Sequence, residues 1–214
     1  FQQIKPAYYI GGFDLSETTD LTSACAMFEL PDRPNTLFIN SMYWLPYDLL
    51  EKRVKEDHIP YDVWYEQGLL RLSSGNKIDR KDVEAWFVEL AHQYNILPIS
   101  IGYDRWCAQE VVSSMKSTFG ANCMHEVKQY AKVLSNPLKM LANDFKSKQI
   151  VYNNNPITKW CLTNLAVKTD INGNIQPIKA VNQSGRIDGA MAILDAYVAY
   201  IDNKDEYRNA VGFQ

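Results

Sequence analysis

No stretch of this sequence has the roughly 18 uninterrupted apolar residues that a membrane-spanning helix requires. The first ten residues, FQQIKPAYYI, also lack the order of basic, apolar and small residues that marks a secretory signal. Both absences argue against a membrane or secreted protein. We therefore expect the protein to stay in the cytoplasm.

Cysteine and histidine are scarce. The four cysteines form no CxxC pair, and the three histidines lie far apart along the chain. Zinc knuckles and disulfide frameworks need such residues at short, regular spacings. We therefore expect neither kind of site, and reduced thiols at the four cysteines, which are Cys25, Cys107, Cys123 and Cys161.

A phosphate-binding GxxxxGK[ST] loop is missing as well, and the chain starts at Phe1 instead of methionine. We interpret the sequence as a fragment of a longer protein. Its 214 residues are 46% apolar and 22% charged, which is the balance of an ordinary globular protein. Because a chain of this length can fill one large core, we expect residues 1–214 to form a single α/β domain.

Charge is unevenly distributed along the chain, although the net charge is only -3. Residues 128–186 contain nine Lys or Arg against two Asp, so the rest of the chain is strongly acidic. This division fits a surface that follows DNA phosphates beside a carboxylate-rich metal site. A solvated lysine face is the alternative explanation. Lys179 and Arg186 are the candidate DNA contacts in the basic half.

Two apolar segments that read as strands each end in an aspartate. Segment 7–14 is rich in aromatic and β-branched residues and ends in Asp14, and segment 96–104 is a buried strand that ends in Asp104. An antiparallel meander and a hairpin are expected in the other strand-like segments: 24–30, 36–44, and the pair 164–169 and 175–180 around Asn172-Gly173.

Helices are expected where apolar residues recur at helical spacing. Residues 46–75 show only mixed signals. The alternation of strands and helices from residue 82 onward implies parallel strands joined by crossovers. The predicted helices run from Asp82 to Ala91, over 108–119, over 138–148, and from Asp188 through Tyr200.

Asp14, Asp104 and Asp188 are the candidate metal ligands. Ligand sites of open α/β sheets lie outside the carboxyl ends of parallel strands, so Asp14 and Asp104 should emerge together, and the final helix would deliver Asp188. Hard divalent ions prefer oxygen ligands, and two of them about 4 Å apart support phosphodiester hydrolysis. Each aspartate also has a structural explanation, namely an Asx-turn, the start of a loop, and a helix cap.

Several short motifs surround the three aspartates and the segments near them: Gly12-Phe13-Asp14-Leu15-Ser16 with Thr19-Asp20-Leu21-Thr22, Tyr103-Asp104-Arg105-Trp106, Gly185-Arg186-Ile187-Asp188-Gly189-Ala190, Asn155-Pro156 with Trp160 and Asn164, and residues 170–179. These motifs resemble those of terminase large-subunit nuclease domains of tailed phages, and the three acidic motifs occur in the same order. The resemblance implies an α/β fold of the ribonuclease H-like type, with a mixed central sheet of an antiparallel meander plus parallel strands, flanking helices and a β-hairpin near the C-terminus. It maps Asp14, Asp104 and Asp188 onto the metal-binding acidic triad. Asp20 receives no catalytic role, because capping of its loop explains it equally well.

The same resemblance implies a DNA endonuclease that uses two divalent ions, Mg²⁺ or Mn²⁺, to cut concatemeric viral double-stranded DNA during genome packaging. The implied location is the cytoplasm of the infected bacterium. The implied partners are double-stranded DNA, an N-terminal packaging ATPase domain of the same polypeptide, the portal protein and the small terminase subunit, with no membrane.

Two alternatives stay open. One is a Holliday-junction resolvase or transposase core of the same fold, which would prefer a different DNA structure. The other is a noncatalytic DNA-binding or assembly module in which the aspartates are structural.

Overall fold

The computed structural model describes residues 6–15, 21–106, 109–180 and 185–212. At the centre of this described part lies a seven-stranded mixed sheet in the order β4-β3-β2-β1-β5-β6, with β7 paired to β3 beside that path. Its strands are β1 (Tyr8–Asp14), β2 (Thr22–Leu30), β3 (Arg33–Pro46), β4 (Leu70–Ser73), β5 (Leu97–Asp104), β6 (Met124–Val127) and β7 (Ile150–Val151).

Helices pack around the sheet, and a separate hairpin precedes the last two of them. The hairpin pairs β8 (Leu165–Thr169) with β9 (Ile175–Lys179) and packs on α5 and on the loop before it. The helices are α1 (Leu50–Asp57), α2 (Tyr61–Glu66), α3 (Arg80–Tyr94), α4 (Gln109–Phe119), α5 (Ala131–Lys146), α6 (Pro156–Asn164), α7 (Asp188–Asp202) and α8 (Lys204–Val211), with short 3₁₀ turns at Tyr47–Leu49 and Ala121–Cys123.

The strand pairing confirms the predicted combination of a meander with parallel strands. β1, β2 and β3 pair antiparallel in chain order, whereas β5 runs parallel to β1, and β6 runs parallel to β5. The predicted hairpin is also present, and Gly173 in its loop has a φ of 77°, a conformation that glycine adopts at little cost. The carboxyl ends of β1 and β5 therefore lie side by side at one end of the sheet.

Helix α7 crosses the sheet at very short range, because two glycines face it. A Cβ atom at Gly12 of β1 would collide with the main chain of Ala192, and one at Gly102 of β5 would collide with the main chain of Asp195. Nearly all of α7 is buried, including a continuous run from Ala192 to Tyr200. This contact sets the height of α7 above the ends of β1 and β5, and α7 is followed by α8 although the sequence analysis took it as the final helix.

Two predicted helix starts were wrong. Helix α3 begins at Arg80 because Asp79 caps it, accepting a hydrogen bond from the Lys81 main-chain N–H at 3.0 Å. Asp82 lies inside the first turn and accepts a hydrogen bond from the Ser73 hydroxyl. Helix α5 begins at Ala131 instead of residue 138 and runs through Pro137.

Helix α6 was not predicted, although its cap can be read from the sequence. The Asn155 side chain accepts hydrogen bonds from the N–H groups of Ile157 and Thr158 at 2.9 and 3.1 Å, and Pro156 occupies the first helical turn. This is the favoured order of a helix start. The helices α2 and α8 were not predicted either, and α1 lies in the stretch 46–75, where the signals were mixed and included helical charge pairs around residues 49–55.

Candidate active site

The ends of β1 and β5 place Asp14 and Asp104 next to each other. Phe13 lies opposite Tyr103 in the parallel register, and their rings stack with centroids 6.2 Å apart. Phe13 also packs edge-on against Phe87 of α3 at 6.1 Å. Because a ring anchors the residue before each aspartate, Asp14 and Asp104 leave the sheet from fixed positions.

Asp104 has one further contact that orients its side chain. Its Oδ1 accepts a hydrogen bond from the Trp106 main-chain N–H at 3.1 Å. The bond closes a local turn after the strand, as the structural explanation of this aspartate anticipated. The other carboxylate oxygen is not used by this turn.

Asp188 is the first residue of α7 and is 8% exposed. The cap position belongs to Ile187, so Asp188 is not the helix cap. The Ser23 hydroxyl of β2 donates to the Asp188 main-chain oxygen at 2.7 Å and ties the helix start to the sheet. Asn164 donates to the Arg186 main-chain oxygen at 3.3 Å and fixes the approach to the helix.

The electrostatics indicate that the three aspartates are neighbours. Burial raises the pKa of Asp14 to about 8, with further increases from the charges of Asp188 and Asp104 and a decrease from Lys179. Carboxylates that raise one another's pKa are in mutual repulsion, which a cation would relieve. Within the described ranges, however, no three His, Cys, Asp or Glu side chains converge in metal-binding geometry. The metal-ligand roles of Asp14, Asp104 and Asp188 therefore stay predictions.

The donor atoms at this site suit a hard divalent ion. Carboxylate oxygens are the ligands that Mg²⁺ and Mn²⁺ prefer. The thiol of Cys161 lies within electrostatic reach of Asp188 and Asp14, but burial raises its pKa to about 12. It stays a neutral thiol at physiological pH and is a poor ligand, since metal binding requires the thiolate.

A fourth carboxylate, Asp195, was missed by the sequence analysis. It lies on α7 about two turns after Asp188, is 1% exposed, and accepts a hydrogen bond from the Gln129 side chain at 2.8 Å. Burial and the charges of Asp14 and Asp104 raise its pKa well above the usual range. The signal in the sequence was an aspartate on the same helical face as Asp188 within an otherwise apolar segment.

The two predicted DNA contacts differ in their surroundings. Lys179 ends β9, is exposed, and is close enough to Asp14 to lower its pKa. The Arg186 side chain is 13% exposed and lies 3.7 Å from Oδ2 of Asp57, whose side chain is 6% exposed. This packing favours a structural role for Arg186, and its contact with DNA stays a prediction. Asp20 and Cys107 lie outside the described residues.

The sequence analysis also made predictions about the cysteines and about membrane-spanning helices. The thiols of Cys25, Cys123 and Cys161 are free and buried. Among the described helices, none combines the length and apolar character needed to cross a membrane.

Comparisons with known proteins match nearly the whole chain. The sequence model of the family described as "Terminase large subunit, endonuclease domain" matches residues 6–203. The terminase large subunit of Enterobacteria phage HK97 is 29% identical over 188 residues, which are 88% of this chain and 36% of the HK97 protein. This chain therefore spans well under half the length of that relative.

Solved structures agree with this match. The crystal structure of the HK97 large terminase has a TM-score of 0.80 at 27% identity and covers 92% of this chain and 40% of its own. The large terminase nuclease of the thermophilic phage G20c, with bound magnesium, has a TM-score of 0.52 at 13% identity, covering 89% of this chain and 80% of its own. The G20c likeness shows a shared fold and no more. From its sequence match over residues 6–203, this chain belongs to the family of terminase large-subunit endonuclease domains.

Proposed function

We propose that this domain is a metal-dependent endonuclease that cuts concatemeric viral double-stranded DNA during genome packaging. The observation that carries the proposal is the set of three aspartates at one edge of the sheet, where Asp188 and Asp104 both raise the pKa of Asp14. The family match supports the nuclease class.

Asp14, Asp104 and Asp188 would hold two divalent ions, Mg²⁺ or Mn²⁺. Oxygen-only donors and mutual repulsion of the carboxylates support this assignment, as does the magnesium in the G20c nuclease. Such ions supply an activated water for attack on phosphorus and stabilise the leaving oxygen. Lys179, which is exposed beside Asp14, would contact a phosphate of the DNA backbone.

Cation binding should change the protonation state of Asp14. With a pKa of about 8, Asp14 holds a proton at neutral pH in the metal-free protein. A cation favours the ionised carboxylate, so binding releases that proton. The affinity for Mg²⁺ or Mn²⁺ should therefore rise with pH up to about pH 8.

Plasmid nicking in Mn²⁺ or Mg²⁺, with EDTA as the metal-free control, tests the proposal. Asp104→Asn keeps an oxygen for the Trp106 N–H but removes the charge, so the folded variant should lose cleavage. Asp62→Asn is the matched control, because it removes an exposed carboxylate on α2, which packs on the edge strand β4, away from β1 and β5 in the strand order. Cleavage by Asp104→Asn at the wild-type rate would contradict the proposed ligand role.

The same assay separates the two alternatives. A four-way junction cut in preference to linear duplex would indicate a resolvase. DNA binding without any metal-dependent product would indicate a noncatalytic module.

The proposed partners are a packaging ATPase domain in the same polypeptide, the portal protein and the small terminase subunit, and the proposed location is the cytoplasm of the infected bacterium. The support is that the HK97 terminase is much longer than the aligned region, which is 36% of it. Co-purification of portal protein with the full-length chain, and its loss on deletion of this domain, is the corresponding measurement.

A further inference from the structure

Two exposed aromatic side chains follow the neighbouring strands β5 and β6. Trp106 is 79% exposed, and Tyr130 is 55% exposed. β5 and β6 are parallel, and Asp104 lies opposite Val127 in their register. The segments that carry Trp106 and Tyr130 therefore leave the sheet side by side, at the edge where Asp104 ends its strand.

The backbone holds both residues in place although their rings are exposed. The Trp106 N–H is bonded to the Asp104 carboxylate at 3.1 Å. The Tyr130 carbonyl accepts hydrogen bonds from the N–H groups of Val133 and Leu134, both at 2.9 Å, at the start of α5. The preceding residue, Gln129, is bonded to buried Asp195. Because the main chain at both residues is hydrogen-bonded, a ligand that contacts the exposed rings would not need to order a loop, and binding would avoid that entropy cost.

Two cationic side chains neighbour these rings in the chain. The Arg105 guanidinium carbon lies 6.0 Å from the centre of the Trp106 ring, and Lys128 is exposed two residues before Tyr130. Arg105 also lies 3.9 Å from Glu126, which is itself exposed. Exposed aromatic rings interleaved with cations are the arrangement on which nucleic-acid bases stack.

We propose that Trp106 and Tyr130 form an aromatic contact for the bases of DNA next to the cleavage site, and that this contact favours DNA whose base pairs are locally unstacked. The inference rests on the proposed nuclease function. A base inside an intact duplex offers its face to a side chain only after it has been unstacked, which costs free energy. A mismatched bubble has already lost that stacking, so the contact should strengthen binding of bubble DNA most.

The experiment compares a fully paired duplex with a duplex of the same length that carries a short mismatched bubble. Binding is measured in EDTA with 2-aminopurine in the bubble, and cleavage of both DNAs is measured in Mn²⁺ as separate KM and kcat. Wild type should bind the bubble DNA more tightly. Trp106→Ala should weaken bubble binding by about tenfold and paired binding much less, raising KM for the bubble substrate more than it lowers kcat.

Three further variants test whether the aromatic rings themselves cause the preference for bubble DNA. Trp106→Phe retains a ring and should keep most of the bubble preference, and Tyr130→Ala should lose part of it. Tyr65→Ala removes an exposed ring on α2, which packs on the edge strand β4, away from β5 and β6 in the strand order, and it should behave as wild type. Unchanged melting temperatures would show that these exposed positions leave the fold intact.

The inference would be overturned by a wild-type protein with no preference for bubble DNA, or by a Trp106→Ala variant that keeps the preference. An equal loss on both DNAs would also overturn it. A wild-type protein that cuts neither DNA would defeat the proposed function instead, and the binding measurement in EDTA would still decide the role of the rings.

Discussion

At the scale of single residues, the proton of Asp14 links stability to pH. The pKa of an aspartate in the unfolded chain is about 3.9, whereas burial and two neighbouring carboxylates raise the pKa of folded Asp14 to about 8. Between these values the folded state binds more protons than the unfolded state. The stabilising effect is complete below about pH 4 and is lost as the pH rises through about 8.

Asp14→Asn should therefore flatten the pH dependence of stability in metal-free protein. Thermal melts in EDTA between about pH 5 and about pH 8 measure it, since wild type should lose melting temperature over this window more steeply than the variant. Asp62→Asn, which removes an exposed carboxylate, serves as the control. Parallel curves for wild type and Asp14→Asn would contradict the raised pKa.

Metal binding should stabilise the domain by relieving the repulsion between Asp14 and its neighbours Asp104 and Asp188. A ligand that binds only the folded state contributes about 2.7 kcal/mol at a hundredfold excess over its dissociation constant, which in a domain of this size raises the melting temperature by roughly 5 to 10 °C. Asp14→Asn should shrink the rise that Mn²⁺ produces, without lowering the melting temperature in EDTA. Equal rises in both proteins would remove Asp14 from the proposed metal site.

Arg186 offers a test that separates packing from DNA binding. Removing it with Arg186→Gln leaves the nearly buried Asp57 with Arg53 at 3.7 Å and with the Tyr61 hydroxyl at 3.1 Å. Because Arg53 remains as a cation, the expected loss is about 1–3 kcal/mol in the free energy of unfolding. Denaturant unfolding measures this loss. Unchanged stability with weaker DNA binding would instead assign Arg186 to the DNA surface.

At the scale of elements, the contact between α7 and β1 decides whether the site assembles. Gly12→Ala places a methyl group against the main chain of Ala192, which cannot move without displacing the helix that carries Asp188. We expect a loss of about 3 kcal/mol or more in the free energy of unfolding.

The neighbouring glycine is the matched control for this substitution. A Cβ atom at Gly11 would meet side-chain atoms of Ile101 and Phe87 at 3.0 and 3.1 Å, and side chains adjust more readily than main chain. Gly11→Ala should therefore cost less in urea unfolding. A larger loss for Gly11→Ala than for Gly12→Ala would show that the helix approach does not limit the fold.

At the scale of the whole molecule, the uneven charge predicts how DNA binding responds to salt. DNA affinity should fall steeply with salt concentration, because each phosphate contact releases counterions. Lys179→Ala should lower the slope of log affinity against log salt by about one. Lys168→Ala is the control, since Lys168 is exposed on the same hairpin but nearer its tip. An unchanged slope and affinity for Lys179→Ala would assign Lys179 to a solvated surface.

Sequence patterns determined the parts of this protein that depend on near neighbours. The strands that end in Asp14 and Asp104, the helix that begins at Asp188 and the hairpin around Gly173 were predicted correctly, because periodicity and turn residues act within a few positions of the chain. The predicted start of α3 was wrong by two residues, because Asp79 and Asp82 are equally plausible caps in the sequence. Only the hydrogen bond from the Lys81 N–H identifies Asp79 as the cap.

Only the tertiary structure decided which of these residues influence one another. The buried Asp195, the pairing of Arg186 with Asp57 and the raised pKa of Asp14 all depend on strand order and on how closely α7 crosses the sheet. Their partners are distant in the chain. Burial and Coulomb interactions depend on distance in space, so no local pattern of residues could have set them.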